Sequence, residues 1–393
     1  MSNTKFSENV ELIKEKIYNT EINDLEINGL LWSYLLVSSS LSTFMPKLKT
    51  SDHYKLVQNM QFHRSLSDID MFYPSLLENT KFYDKSNVVE QSLSKAHIYV
   101  SYHAGSYYMI LRNLAHKAVP FCVVAGNNYI NDYEHLVQQV YKNVPNGDGK
   151  ALEILSAEDP KLLLKLTKKL ADGISVFFFI DGNTGTKENN YSNDKNLLKI
   201  NFLNHHIYAR QGVAFLAYLS KAPVATVIAK RDKNLNNKVE INLLNTDDIL
   251  AKNDRNGFIH EVTRKLYGVL ENYLIKDYEQ WSGWFYLHKL FDTEELSEET
   301  SINLATINYK NTKFIVSDYV QLVKHDENHI FLVLKKKYEI MRIGELLYDV
   351  LNYFQTPRTI SKNEPLIIEN EVVGFEFLEE LIEMNFIKPI LCL

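Results

Sequence analysis

AHIYVSYHAG, Ala96–Gly105, carries the first strand of the expected sheet and the turn after it. It is an apolar run that ends in a histidine and a glycine. The helical pattern SYYMILRNLAHK follows at once, and then a second apolar run, VPFCVVAG. Strand, helix, strand is a βαβ unit. Further along, a helix expected over Pro160–Ala171, with Asp159 as its cap, leads through Gly173 into SVFFFIDG, whose apolar strand ends at Asp181. So continuous an apolar run suits a central strand buried on both faces. Beyond a polar loop, Thr184–Lys195, come KINFLN, the helical QGVAFLAYLSK, and the strands APVATVIAKRD and KVEINLL. The alternation predicts an α/β fold with a mostly parallel sheet and helices on both faces.

On the N-terminal side, apolar positions recur at three- and four-residue spacing from Phe6 to about Ser94, as in ENVELIKEKIYN and YPSLLENTKFY. A helical cap over 1–95 is therefore expected before an α/β domain over 96–295. A helix from about Asn256 to Ile275 runs into YEQWSGWFYLHKLF, Tyr278–Phe291, and the acidic DTEELSEET reads as a linker. In 301–393, YVQLVK and HIFLVLKK with HDEN between them form a hairpin signal. YEIMRI, the helix GELLYDVLNYF, Pro357 and the helix FEFLEELIEM follow, so a small α+β, winged-helix-like domain is expected.

The chain has 393 residues, 45% of them hydrophobic, which is enough for a sizeable core and two or three domains. A net charge of -6 with mixed charge distribution argues against a nucleic-acid surface. Cys122 and Cys392 supply neither a disulfide framework nor a zinc site, and the polar start MSNTKFSENVELIKEK lacks the form of a secretory signal, so a cytoplasmic location is expected. Leu30–Met45 is apolar but shorter than the roughly 20 residues that span a bilayer, and Ser38, Ser39 and Ser40 interrupt it. A buried or interfacial helix fits it better, with at most peripheral membrane contact.

His103 and Asp181 each stand at the end of an apolar strand, where open α/β sheets place their ligands. Brought together, they would have the composition of a general base: the imidazole takes a proton, and the carboxylate fixes the tautomer. A strand-end histidine bonded to backbone explains the spacing equally well. Gly105 allows close backbone approach, and backbone amides near Gly105 or Asn183 are candidates to steady an oxyanion. Ser106 is a possible nucleophile by proximity to His103 but lacks a nucleophile elbow; with Gly105, Tyr108, Asn183, Arg210 and Arg231 it is a candidate substrate contact. His205 and His206 read as solvated loop residues, no metal site being expected, and Lys335–Lys337 as a hairpin turn.

From about Ala96 to Phe291 the chain resembles the lysophospholipid and lipid A lauroyl/myristoyl acyltransferase family. The motif HAGSYY, His103–Tyr108, stands where that family has HxxxxD or HxxxxE. SVFFFIDG, RQGVAFLAYLSKAPVATVIAKR and YEQWSGWFYLHKLF match later blocks in the same order. The resemblance implies acyl transfer from a thioester donor, acyl-CoA or an acyl carrier protein, with His103 as base, no bound cofactor, and Arg210 or Arg231 facing an anionic donor. Tyr108 replaces the motif carboxylate, and a phenol with a reference pKa of about 10 cannot stand in for it at neutral pH.

Lys313–Ile390 resembles the peptide-recognition domain of ribosomal-peptide maturation enzymes, of the pyrroloquinoline quinone chaperone type, on the hairpin, GELLYDVLNYF, PRT and FEFLEELIEMNFI. That resemblance implies a peptide added as a strand, with contacts from Tyr338, Ile340, Arg342, Leu347 and Leu351. Jointly, the two halves suggest a tailoring enzyme that acylates an amine or hydroxyl of a ribosomal precursor peptide or small natural product. A catalytically altered scaffold that binds peptide or lipid as a partner subunit, and a peripheral lipid acyltransferase, are the alternatives.

Overall fold

A computed structural model describes residues 3–27, 29–73, 75–144, 152–182, 196–293, 296, 307–309, 311–336 and 339–390. The chain forms two compact units, one of Met1–Asn19 with Lys55–Phe291, the other of Thr20–Tyr54 with Asp292–Leu393. The N-terminal part contributes α1 (Asn3–Tyr18), α2 (Ile22–Ile27), α3 (Leu31–Phe44), α4 (His53–Asp70) and α5 (Ser75–Glu78). A short strand, β1 (Lys81–Asp84), follows and precedes α6 (Val88–Gln91). This stretch is not purely helical, because β1 joins the sheet.

The alternating region supplies β2 (Ile98–Ser101), α7 (Tyr107–His116), β3 (Phe121–Ala125), α8 (Asn127–Lys142), β4 (Glu153–Ser156), α9 (Leu162–Ala171) and β5 (Ser175–Phe179). It continues through β6 (Leu197–Phe202), β7 (His205–Arg210), α10 (Gly212–Ser220), β8 (Val224–Arg231), β9 (Asn237–Leu244), α11 (Thr246–Lys252) and α12 (Arg255–Asp277). The helix expected from Pro160 starts at Leu162, because the Asp159 carboxylate accepts from the Lys161 amide and holds a turn ahead of it. The α12 start is capped by Asp254, whose side chain accepts from the Gly257 amide.

Seven strands form one sheet in the order β1-β9-β8-β2-β5-β3-β4. Every neighbouring pair is parallel except β8 and β9, which are antiparallel. Their antiparallel link is local: Asp232 accepts from the Asn234 and Asn236 amides and closes the turn. KINFLN is half of a two-stranded hairpin, β6 with β7, whose Leu203 and Asn204 both have positive φ.

All four residues of β2 are buried, so both sheet faces are covered. On one face, Tyr99 and Phe177 pack with Ile110, Leu111 and Leu114 of α7 and with Val137 and Tyr141 of α8. Across the sheet, the Tyr102 hydroxyl donates to the Leu266 carbonyl of α12, and the Tyr267 hydroxyl to the Ile180 carbonyl at 3.0 Å. Strand alternation puts Tyr99 and Tyr102 on opposite faces.

In the second unit, β10 (Lys313–Val316) is followed by β11 (Val320–Lys324), β12 (Ile330–Leu334) and β13 (Glu339–Arg342), then α13 (Glu345–Tyr353) and β14 (Arg358–Thr359). It closes with β15 (Leu366–Ile368), β16 (Glu371–Val373), α14 (Phe375–Glu383) and β17 (Ile387–Ile390). The pairings are antiparallel in three small sheets, β14-β10-β17, β11-β12-β13 and β15-β16. The HDEN turn joins β11 to β12 as its sequence indicated, with His325 bonded to the His329 carbonyl. The apolar helix α3 packs on β11 and β12 and is buried over Tyr34–Leu41. Among the described residues, no helix is long and apolar enough to cross a membrane.

Back in the first unit, α4 is tied to the end of β8 by a buried ion pair. Arg231 and Asp70 have side chains 1% exposed and meet at 2.5 Å. The same guanidinium donates to the His63 carbonyl and the Ser67 hydroxyl. Removing one partner of such a pair leaves an uncompensated buried charge, which costs about 3–5 kcal/mol. Arg231→Ala and Asp70→Ala should each lose about that much in urea unfolding, and the double variant should lose clearly less than the sum of the two.

Candidate functional site

The pairing of β2 with β5 places the site. Ile98 lies beside Val176 and Ser101 beside Phe179. Continued two residues past both strands, the same register sets His103 beside Asp181. The imidazole Nδ1 lies 2.8 Å from Asp181 Oδ1, and the His103 amide donates to Oδ2 at 2.9 Å. Trp281 Nε1 donates to Oδ2 at 2.7 Å. An ionised carboxylate only accepts, so Nδ1 carries the proton that it gives to Asp181. The basic lone pair is then on Nε2, which makes no hydrogen bond among the described residues.

Exposure divides the pair. The Asp181 side chain is 1% exposed and the His103 side chain 29%. The carboxylate is a buried anchor, and the ring is open to a reactant. Around the ring, Phe179 lies 4.8 Å and Tyr107 5.2 Å away between centroids. Tyr286 brings its hydroxyl to 3.4 Å from Nδ1. Burial, reinforced by the Asp181 charge, pushes the Tyr102, Tyr267 and Tyr286 phenols well above their ordinary range.

The turn that carries His103 is fixed by backbone fit. Gly105 has φ +55°, and a Cβ there would come 2.5 Å from the Ala229 carbonyl oxygen and 2.7 Å from Lys230 Cα. Its amide donates to the Gln280 carbonyl at 2.9 Å, and its carbonyl accepts from the Ser67 hydroxyl. Gln280 in turn pairs its side-chain amide with both the N–H and the C=O of Arg231. The segment Tyr278–Phe291 thus folds over the strand ends and delivers Trp281 to the carboxylate. A Cβ at Gly283 would come within 2.1 Å of that indole.

Several residues expected at the site lie elsewhere. Ser106 is fully buried with its hydroxyl bonded to Asn237, so that hydroxyl is not open to a reactant in this structure. Arg231 is spent on Asp70, Ser67 and His63, so it has no free face for an anionic donor. Arg210 ends β7 opposite Leu197, and its charge is felt at Tyr267, close to Asp181. Tyr108 sits in an aromatic group with Tyr107, ring centroids 4.5 Å apart. Burial pushes the Tyr108 phenol up, so it supplies no charge to His103. Asn183 lies outside the described residues. His205 and His206 belong to β7 rather than to a loop, and no group of three or more metal-ligating side chains is found among the described residues.

In the second unit, Ile340 and Arg342 lie on β13, which pairs only with β12 among the described residues. Arg342 is exposed and donates to the Asn328 carbonyl. Leu347 on α13 is half-buried, whereas Leu351 is fully buried and is core rather than a contact. Tyr338 and Lys337 lie outside the described residues, and Lys335 and Lys336 follow β12 in a turn.

The residues that sequence reasoning missed are Trp281, Tyr286 and Gln280. They stand inside the aromatic block Tyr278–Phe291, but nothing in its spacing shows which side chain turns toward Asp181. Arg64, exposed over the Phe285 ring at 5.5 Å, carried no signal either. Compared with known proteins, the chain matches no protein-family model and no curated protein.

A buried carboxylate that loses one donor pays about 1–3 kcal/mol. Trp281→Phe keeps most of the ring and removes the N–H to Asp181, so it should lower the unfolding free energy by about that amount, measured by urea titration. His103→Gln, at a half-exposed position, should lower it less.

Proposed function

We propose that the chain is an acyltransferase that moves an acyl group from a thioester donor to an amine or hydroxyl. The observation that carries this reading is the His103–Asp181 pair, with Nδ1 held by a buried carboxylate and Nε2 left open at the carboxyl edge of a parallel sheet. In the reaction, Nε2 takes the proton of the accepting amine or hydroxyl as that atom attacks the thioester carbonyl, and the imidazolium then protonates the leaving thiolate. Asp181 keeps the ring in the required tautomer and stabilises the imidazolium. Its two further donors, the His103 amide and Trp281, hold it in place. The resemblance of HAGSYY and the later blocks to lipid A acyltransferases supports the same chemistry.

The acceptor we propose is a ribosomal precursor peptide or a small natural product, and the donor an acyl-CoA or acyl carrier protein. Support for a peptide comes from the second unit, where the β13 edge faces no further strand among the described residues and exposes Met341 and Arg342. Such an edge can take an added strand through backbone hydrogen bonds. A binding-only partner subunit is the second reading, and Tyr108 favours it: an uncharged phenol takes the place of the motif carboxylate.

The test incubates the protein with acyl-coenzyme A of several chain lengths and a set of peptide and amine acceptors, following thiol release and intact mass. Acyl transfer is expected in the native protein, with His103→Ala slower by roughly 10²–10⁴-fold and Asp181→Asn also slowed. No transfer by the native protein, or transfer indifferent to His103, would favour the binding-only reading.

A further inference from the structure

An acyl-transfer site needs a donor for the carbonyl oxygen as it becomes negative. The backbone amides nearest His103, expected from sequence to serve, are already in use. The His103 amide donates to Asp181, the Ala104 amide to the Tyr102 carbonyl at 2.7 Å, and the Gly105 amide to the Gln280 carbonyl. The strand-to-helix turn is therefore built to hold the dyad and leaves none of these three N–H groups for a ligand.

The Tyr286 hydroxyl is placed differently. Its oxygen lies 3.4 Å from His103 Nδ1, but that nitrogen carries a hydrogen committed to Asp181 at 2.8 Å. A phenol cannot donate to an N–H, and the Tyr286 hydroxyl makes no other hydrogen bond among the described residues. The hydroxyl hydrogen therefore has no acceptor within the described chain, although it lies against the ring that does the chemistry. We propose that this hydroxyl donates to the carbonyl oxygen of the bound acyl group and stabilises the oxyanion. The proposal rests on the acyl-transfer reading and adds a catalytic residue to it. Burial and the neighbouring Asp181 keep the phenol protonated well beyond neutral pH, as a donor requires.

The step balances without further reagents. With water as acceptor, Nε2 removes a proton as the water oxygen bonds to the carbonyl carbon, and the C=O pair moves onto oxygen, where Tyr286 donates to it. Collapse restores C=O, breaks the bond to the leaving group and sends the proton from Nε2 to that group or to solvent.

p-Nitrophenyl acetate hydrolysis tests it on the full chain, comparing native protein, His103→Ala and Tyr286→Phe. The expected result is loss of the catalysed rate in His103→Ala. In Tyr286→Phe, kcat should fall by about 10²-fold or more, with KM and the unfolding midpoint nearly unchanged. A Tyr286→Phe kcat within twofold of native, beside an inactive His103→Ala, would overturn the inference and leave the acyl-transfer reading standing. Native hydrolysis no faster than buffer, or indifferent to His103, would remove both. Should Tyr286→Phe fail to fold, 3-fluorotyrosine at position 286 preserves the ring and alters the acidity of the hydroxyl; kcat should then change, whereas an unchanged kcat would overturn the inference.

Discussion

A buried carboxylate must be supplied with hydrogen-bond donors, and Asp181 is the group around which this site is arranged. Left bare at 1% exposure, its charge would cost several kcal/mol. Three donors meet it: two from His103, side chain and backbone, and one from Trp281. The first two exist because β2 and β5 are parallel neighbours in one fixed register, so residues two beyond each strand still face one another. The third requires the segment after α12 to cross the strand ends. Sheet order, register and the path of that segment thus serve a single charge.

The other side of the His103 turn is held as firmly. Gly105 comes too close to β8 for any side chain, and Gln280 fastens the same segment to the Arg231 backbone. Arg231 itself is locked by Asp70, while Ser67 of the same helix reaches the Gly105 carbonyl. The arginine therefore positions the turn from behind. Preorganisation of this kind is what a base needs, since an imidazole displaced by about 1 Å loses much of its effectiveness.

Much of the sheet was legible from the chain because buried parallel strands are written as unbroken apolar runs, as in SVFFF, and because glycine or a polar residue marks their carboxyl ends. The pairing of His103 with Asp181 was legible as a possibility for that reason. The strand β1 was not, since KFYD has the alternating, half-exposed pattern of an edge and no apolar run. Arg231 was misjudged because a basic residue after an apolar strand looks solvent-facing, and its partner Asp70 lies far away in sequence on α4. Ser106 and Leu351 failed for a similar reason: sequence shows their neighbours along the chain but not what lies above them. The roles of Trp281 and Tyr286 depend on how one aromatic segment folds back, which local spacing does not encode.

The most direct test is the tautomer of His103, read by long-range 1H–15N correlation in protein labelled with 15N-histidine, at a pH where the ring is neutral and with His103→Gln for assignment. Asp181 as the acceptor at Nδ1 requires the proton on Nδ1 and an unprotonated Nε2. A proton on Nε2, or a ring exchanging between the two tautomers, would mean that Asp181 does not fix the tautomer of His103, and would contradict the role proposed for this pair.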